Sequence, residues 1–520
     1  MDVTDAIVIG AGPNGLAAAA YLARAGWEVT LLERADDVGG AVRSQALTEP
    51  GFVHDTFSAF NGLLHASPVF RDLRLDTRVD WRQFEMPVAA LTSPEEAGRI
   101  YADRSRTAAG LDEDGPAWNE FFAWWEKVGR RLFDMLLAPV GAVGPALKVA
   151  RAAGIRGGLA TAKMQLTTLE ALVNQRFRTP IARALFASGI SHTDLAVDAS
   201  GSVPSAMILA MLAQDVGMPV PAGGAQSLAD AMAAAATEAG ARIHTGDAVT
   251  RVVIENGRAV GVETAGGAGY HARRAIVADT GPLALFRDLA GEDTVPRRYL
   301  DGLRAYRYGS GVFKLDAALD GPIPWKAEGL ETCGVIHVTG DVDSMARTAY
   351  EVRRGMLPAA PMLIVGQQSI ADPTRAPQGK HTLWLECHVP GSPRGDAAGM
   401  IDAAGWDDST RDAFEERVLD RLEAHAPGVR GLIIGRAIHT PADLERANPN
   451  LVGGDVGGGS NALDQQLIFR PVTGWFRHRT PVKGLYLCSA STHPGGGVHG
   501  MCGRNCAQRV IRDARLRRVH

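Results

Sequence analysis

The stretch Ala6-Ile7-Val8-Ile9-Gly10-Ala11-Gly12-Pro13-Asn14-Gly15-Leu16, continued by Ala17 to Ala20 and later by Val29-Thr30-Leu31-Leu32-Glu33, decides the fold of this chain. An apolar strand runs into a Gly-x-Gly-x-x-Gly turn, a helix of small residues follows, and a second strand ends on an acid. Gly10 permits the tight turn. Gly12 lets a pyrophosphate approach the backbone at the helix N-terminus, in a turn shared with Pro13 and Asn14, and Gly15 with the alanines lets helix and strand pack closely. Glu33 follows Gly15 by 18 residues, where an acid accepts hydrogen bonds from an adenosine ribose.

The residues that follow choose the dinucleotide. Glu33-Arg34 leads into Asp37-Val38-Gly39-Gly40-Ala41-Val42-Arg43-Ser44. A nicotinamide domain has no need of a second glycine pair so soon after its ribose acid, whereas the longer FAD runs on past the first helix. Gly39 and Gly40 would let the backbone approach the ribityl and pyrophosphate region, and Arg43 would neutralise phosphate or meet the ring. FAD is the expected cofactor. A nicotinamide-using reductase would need a second complete strand–turn–helix unit mid-chain, and Gly223-Gly224 is too short to supply one.

With 520 residues, 46% hydrophobic and 22% charged, the chain has ordinary globular composition and length for two to four domain-sized units. A net charge of -4 argues against a nucleic-acid partner. Five scattered cysteines without a CxxC pair predict neither a disulfide framework nor a metal site. A first strand starting near residue 6 leaves no room for a targeting peptide, so a cytoplasmic protein is expected. The run Met135 to Leu147 is too short and too proline-interrupted to span a bilayer. With the aromatic run Trp118 to Phe133 it reads either as buried inter-helix packing or as a patch for peripheral membrane contact.

Along the chain, residues 1 to about 70 read as strand, helix, strand and glycine-rich extension, and 75 to 214 as mostly helical. An amphipathic helix is predicted over 225–239, then a strand at 242–244. A hairpin follows, with arms Val249 to Glu255 and Arg258 to Thr264 joined at Asn256-Gly257, and then a buried strand at Ala275 to Asp279. Strand-like runs at 310–315, 334–338, 361–365 and 381–389, with a helix at 409–426, suggest a second, mixed sheet.

Near the C-terminus the strand Leu485 to Cys488 meets Ser489-Ala490-Ser491-Thr492-His493-Pro494-Gly495-Gly496-Gly497-Val498-His499-Gly500, then a helix from about Cys502 to Arg515. Such a helix start suits an anionic group, and in a flavoprotein the candidate is the N1/C2=O edge of the ring, negative once reduced. His493 and His499 flank the turn and are the candidate catalytic residues, each able to relay a proton when neutral, with turn bonding and helix capping as the alternative roles. Cys502 and Cys506 share a helical face and read as packing residues.

Together these stretches, with PAGGAQSLADAM (221–232), Asn448 to Asp455 and Phe469-Arg470-Pro471, resemble the phytoene-dehydrogenase-related branch of the FAD-dependent amine-oxidase-like superfamily, which holds carotenoid desaturases and ketolases. The resemblance implies an α/β fold: a discontinuous Rossmann-like FAD-binding domain (1–75, 215–290 and 445–520) with an inserted mixed-sheet and helical substrate domain (76–214 and 291–444). It further implies backbone contact of Val249 with adenine, and Gly497 and Val498 against the pyrimidine end of the flavin, with Ser489 in the same turn. It implies oxidation of a C–H bond in a small lipophilic substrate by hydride transfer to flavin N5, with oxygen or a quinone as electron acceptor. The turn lacks the acid, and the chain the aromatic cage, usual in amine oxidases. Cys488-Ser489-Ala490-Ser491 and Thr56-Phe57-Ser58 depart from the desaturase pattern, so the general branch fits better than phytoene desaturation itself. Two alternatives stay open: a carotenoid ketolase or desaturase at a membrane surface, and a flavin-bound binding or regulatory protein without catalysis.

Overall fold

The computed structural model describes residues 2–517. Two seven-stranded sheets organise it. The first has the order Val249–Glu255, Arg258–Thr264, Gly269–Ala278, Asp2–Ile9, Val29–Leu32 and Ala241–His244. Leu485–Leu487 joins it parallel to the last residues of Gly269–Ala278. Strands far apart in sequence are thus neighbours, and the parallel ones all end on one edge. Asp2–Ile9 is buried from Thr4 onward because Val29–Leu32 and Gly269–Ala278 flank it and helices cover its faces.

Helix Pro13–Arg24 lies on this sheet through alanines 17 to 20, all inaccessible to solvent. The last helix, Met501–Arg517, crosses it so closely that a Cβ on Gly503 would stand 1.9 Å from the Asn14 carbonyl oxygen. The two ends of the chain therefore build one layer.

The second sheet runs Ile433–His439, Gly311–Leu319, His381–Val389, Leu363–Gly366, Cys333–Val338, Met86–Leu91 and Ala97–Ile100. It is antiparallel except where Met86–Leu91 pairs parallel with Cys333–Val338. One face packs Phe313, Leu315, Leu385 and Cys387 against Phe414, Val418 and Leu422 of helix Asp408–His425. The alternate residues Val312, Lys314, Asp316, Trp384, Glu386 and His388 point the other way. Val312 meets Phe57, Leu451 and the edge of Ala41, so this inner face looks toward the first sheet.

The 75–214 segment is mostly helical, as its pattern predicts, but it also supplies strands that the sequence reading did not place. Met86–Leu91 and Ala97–Ile100 are strands of the second sheet, and Ile433–His439 adds an edge strand. Met86–Leu91 is buried on both faces, so its sequence carries no alternation to mark it. The aromatic run is settled as packing: Trp118 and Trp125 are fully buried, and Phe121, Phe122 and Phe133 nearly so. Among the described residues no helix is long and apolar enough to cross a membrane.

Candidate functional site

The two glycine motifs meet. Gly39 donates its N–H to the Ala11 carbonyl at 2.9 Å, and a Cβ on Gly40 would stand 3.0 Å from the Gly12 Cα. A Cβ on Gly15 would lie 2.1 Å from the Gly10 oxygen, so the turn closes only with glycine there. Gly12 and Pro13 stay half-exposed at the helix start, while Asn14 is buried. Glu33 accepts the Ala11 N–H at 2.7 Å and the Ala35 N–H at 2.9 Å, pinning the first turn to the second strand. Arg34 beside it is exposed. The Glu33 carbonyl takes the Asp247 N–H, which brings the segment leading into Val249 to the same end.

From the other end of the chain, Cys488 N–H bonds the Ala278 carbonyl, setting Ser489 beside the end of Gly269–Ala278. Ser489 is buried and hydrogen-bonded to Ser491. Gly497 is exposed and Val498 half-buried. A Cβ on Gly497 would reach 2.7 Å from Leu63. Residues 10–15 and 489–500 therefore come together at the strand ends, where a doubly wound sheet offers a ligand its cleft.

Three residues that sequence reading left without a role hold this cleft. Asp279, just past the Gly269–Ala278 strand, accepts the Gly15 N–H at 2.8 Å. Burial drives its carboxyl up to about 7, with the Gly15 amide opposing and the Glu33 charge adding. Asn450 donates to the Asp279 carbonyl and accepts from Gly281 N–H. Arg470, fully buried, donates to the carbonyls of Gly458, Ser460 and Ala490, tying the 455–460 loop to the C-terminal turn. In linear sequence only the quoted Asn448 to Asp455 and Phe-Arg-Pro runs hinted at the last two.

Both candidate catalytic histidines are engaged in scaffolding. The His499 Nδ1 accepts the Met501 N–H at 3.0 Å at the start of the last helix, and burial pulls its pKa down to about 4. The His493 Nε2 donates to the Ala138 carbonyl at 2.8 Å, which turns the ring toward the 138–140 segment. His499 thus takes the helix-capping role weighed for it, whereas His493 bonds a distant carbonyl rather than its own turn. Cys502 and Cys506 are buried free thiols, as expected of packing residues.

The inner face of the second sheet carries buried charged and polar groups. Lys314 and Asp316 pair at 2.5 Å with no exposure, and Glu386 lies opposite Lys314 with its pKa driven by burial to about 8. Arg375 bonds Asp55 at 2.6 Å and Asp372 at 3.0 Å. His192 and His337 touch at 2.9 Å, and burial keeps both rings neutral, His192 at about 4. Among the described residues no cluster has the makings of a metal site.

A cofactor fits this cleft on the structure's own terms. The Nε of Arg43 and the Oδ1 of Asn14 are buried without a partner beside the joined glycine turns. A buried donor and acceptor left open cost free energy unless a ligand satisfies them. A family model described as flavin containing amine oxidoreductase matches residues 14–511. The chain belongs to that family. It is 31% identical to pyridine nucleotide-disulfide oxidoreductase domain-containing protein 2 of Rattus norvegicus, over 98% of this chain and 93% of the rat protein. It is 28% identical to a limonene dehydrogenase polypeptide of Castellaniella defragrans (98% and 95%). To the neurosporene-forming phytoene desaturase of Rhodobacter capsulatus it is 25% identical (96% and 92%). An oxidoreductase structure from Methanosarcina mazei shares the fold, with a TM-score of 0.58, 17% identity and coverage of 98% and 99%. The chain is thus an FAD-dependent oxidoreductase of the phytoene-desaturase-related type, with an α/β amine-oxidase fold.

Proposed function

We propose that this flavoenzyme dehydrogenates a C–H bond of a lipophilic substrate lodged between the strand ends of the first sheet and the inner face of the second. Bound FAD would supply the chemistry by accepting a hydride from one substrate carbon, while the neighbouring carbon gives up a proton to water and the double bond forms. Gly12, Pro13 and Gly40 would hold its pyrophosphate, Glu33 and Val249 its adenosine, and Arg43, Gly497 and Val498 its ring end. The surrounding protein excludes water and holds substrate and ring in register. The observation that carries this reading is the convergence of residues 10–15, 39–43 and 489–500 on the strand ends of the first sheet.

Supporting the apolar substrate, the charged groups of the inner face satisfy one another: Lys314 with Asp316, and Arg375 with Asp55 and Asp372. Two relatives are named for limonene and phytoene, both hydrocarbons. Oxygen or a quinone is the proposed electron acceptor. Anaerobic titration of the purified protein with isoprenoid hydrocarbons and with amines, followed by flavin absorbance, tests the proposal. Bleaching by a hydrocarbon and not by amines is expected. Bleaching by amines alone, or by nothing in either set, overturns it.

A further inference from the structure

A cleft of about 170 Å³ lies behind the turn that carries His493, between Pro139 and Val140, Arg477, and the last helix. Asn505, Arg509 and Arg512 line it from that helix, one face at spacings of four and three. Its lining among the described residues holds three guanidinium groups, those of Arg477, Arg509 and Arg512, and no Asp or Glu. Arg477 and Arg512 are exposed, whereas the Arg509 side chain is only 17% exposed. Asp513 lies 3.8 Å from Arg509 but already accepts the Arg479 guanidinium through both its oxygens, and the Tyr486 hydroxyl as well. Burial and the guanidinium groups of Arg479, Arg512 and Arg477 lower the pKa of Arg509, with Asp513 opposing them. Cationic charge is in excess in this cleft, and an anion relieves it.

A second observation narrows the anion. Two buried side chains of the lining lack a partner. His493, 4% exposed, donates its Nε2–H to the Ala138 carbonyl, so Nδ1 is the ring's acceptor, and it is buried and unpaired. Burial lowers the pKa of this ring and keeps it neutral. Asn505, 2% exposed, gives its amide N–H to the Leu137 carbonyl, and its Oδ1 is likewise unpaired. Buried acceptors left open cost free energy until a donor reaches them. The ligand must therefore present oxyanion oxygens to the guanidinium forks and an acid O–H to these acceptors. One fork is enough for a carboxylate, whereas forks from two elements suit a tetrahedral oxyanion. Hydrogen phosphate meets both demands. Sulfate and phosphodiesters, lipid headgroups among them, carry no O–H on the anion at neutral pH.

We propose that this cleft is a binding site for inorganic phosphate, taken up as hydrogen phosphate, and that its occupancy steadies the turn of residues 489–500. His493 belongs to that turn together with Gly497 and Val498, so phosphate acts on the flavin end of the protein from behind. The inference stands whatever molecule the flavin oxidises.

Calorimetric titration of the flavin-loaded, phosphate-free protein with inorganic phosphate tests it, with sulfate and dimethyl phosphate compared at equal ionic strength. Saturable one-site binding is expected, at least about tenfold tighter for phosphate than for sulfate, which leaves the buried acceptors open. Dimethyl phosphate, a diester, should bind no better than sulfate. Arg477→Gln/Arg512→Gln, at exposed positions, should weaken phosphate binding at least about tenfold with flavin content unchanged. Phosphate should also slow FAD release from the wild type and leave release from that variant unchanged. Absence of saturable binding up to about 10 mM phosphate overturns the site. So does equal affinity for sulfate or the diester, or phosphate binding untouched by the paired substitution. FAD release indifferent to bound phosphate overturns the coupling to the turn.

Discussion

Asp279→Asn gives the sharpest test of how the cofactor cleft is held. The carboxyl sits under the glycine turn, taking the Gly15 N–H at 2.8 Å, and its pKa is pushed from the ordinary 3.8 to about 7. Between those two values the folded state holds a proton that the unfolded chain has released. Stability therefore falls as pH rises through that window and levels off above about 7, where both states are ionised. Each pH unit inside the window is worth about 1.4 kcal/mol, so the wild-type apoprotein should lose about 2 kcal/mol from this group between about pH 5.5 and pH 7. Asparagine keeps an oxygen to accept the Gly15 amide and has nothing to titrate. Urea unfolding of both apoproteins across that range should give curves that diverge by about that amount, the variant the more stable at high pH.

The same substitution should act on the cofactor. A Cβ on Gly12 would lie 2.8 Å from the Asp279 Oδ2, so this oxygen sits close against the turn that would hold the pyrophosphate. Above about pH 7 FAD must bring a proton with it, and wild-type affinity should fall up to about tenfold per pH unit while the variant stays flat. Parallel pH profiles for the two proteins, in stability and in FAD affinity, would refute the placement of that proton.

Further expectations follow from packing and charge. Gly503→Leu would drive side-chain atoms into the Asn14 carbonyl, costing at least about 1–3 kcal/mol and releasing flavin, measurable by denaturation and by flavin content after dialysis. Arg470→Met strips buried donors from the carbonyls of Gly458, Ser460 and Ala490 and should cost about 3 kcal/mol or more; a melting temperature within error of wild type would contradict that. His499→Ala removes the cap on Met501 N–H for about 1 kcal/mol, yet the pH profile of kcat/KM between about 6 and 8 should not move, because the ring is neutral down to about 4. The buried rings of His54, His192 and His388, also at about 4, take no proton in the folded state until far below the value of an unfolded histidine. Their stabilisation should vanish as pH falls from about 6.5 to 4, by about 1.4 kcal/mol per unit for each ring, a slope opposite in sign to that of Asp279.

Local chemistry made much of this legible beforehand. The hairpin arms fell where Asn256-Gly257 placed them, because a two-residue turn of that kind needs positive φ at both positions, and both have it (50° and 72°). His381–Val389 was readable as a strand. Met86–Leu91 and Ile433–His439 were not, the first for want of alternation and the second because it is a half-buried edge. At the cleft, the glycines and Glu33 announced themselves by spacing. Asp279 could be read as the end of a strand, but its carboxyl reaches Gly15 across 264 positions of chain, a pairing no local pattern encodes. The histidines drew attention through their residue type, and what they do is decided by the backbone donors and acceptors around them.

The wide separation of the first sheet's strands has a consequence for biosynthesis. Leu485–Leu487 docks on Gly269–Ala278, and Gly503 presses on Asn14, so the growing polypeptide cannot complete its nucleotide cradle until residue 503 has been made. The earlier segments must wait on the ribosome with a parallel sheet lacking its final strand. Flavin loading therefore has to follow the making of helix Met501–Arg517, which closes that seam.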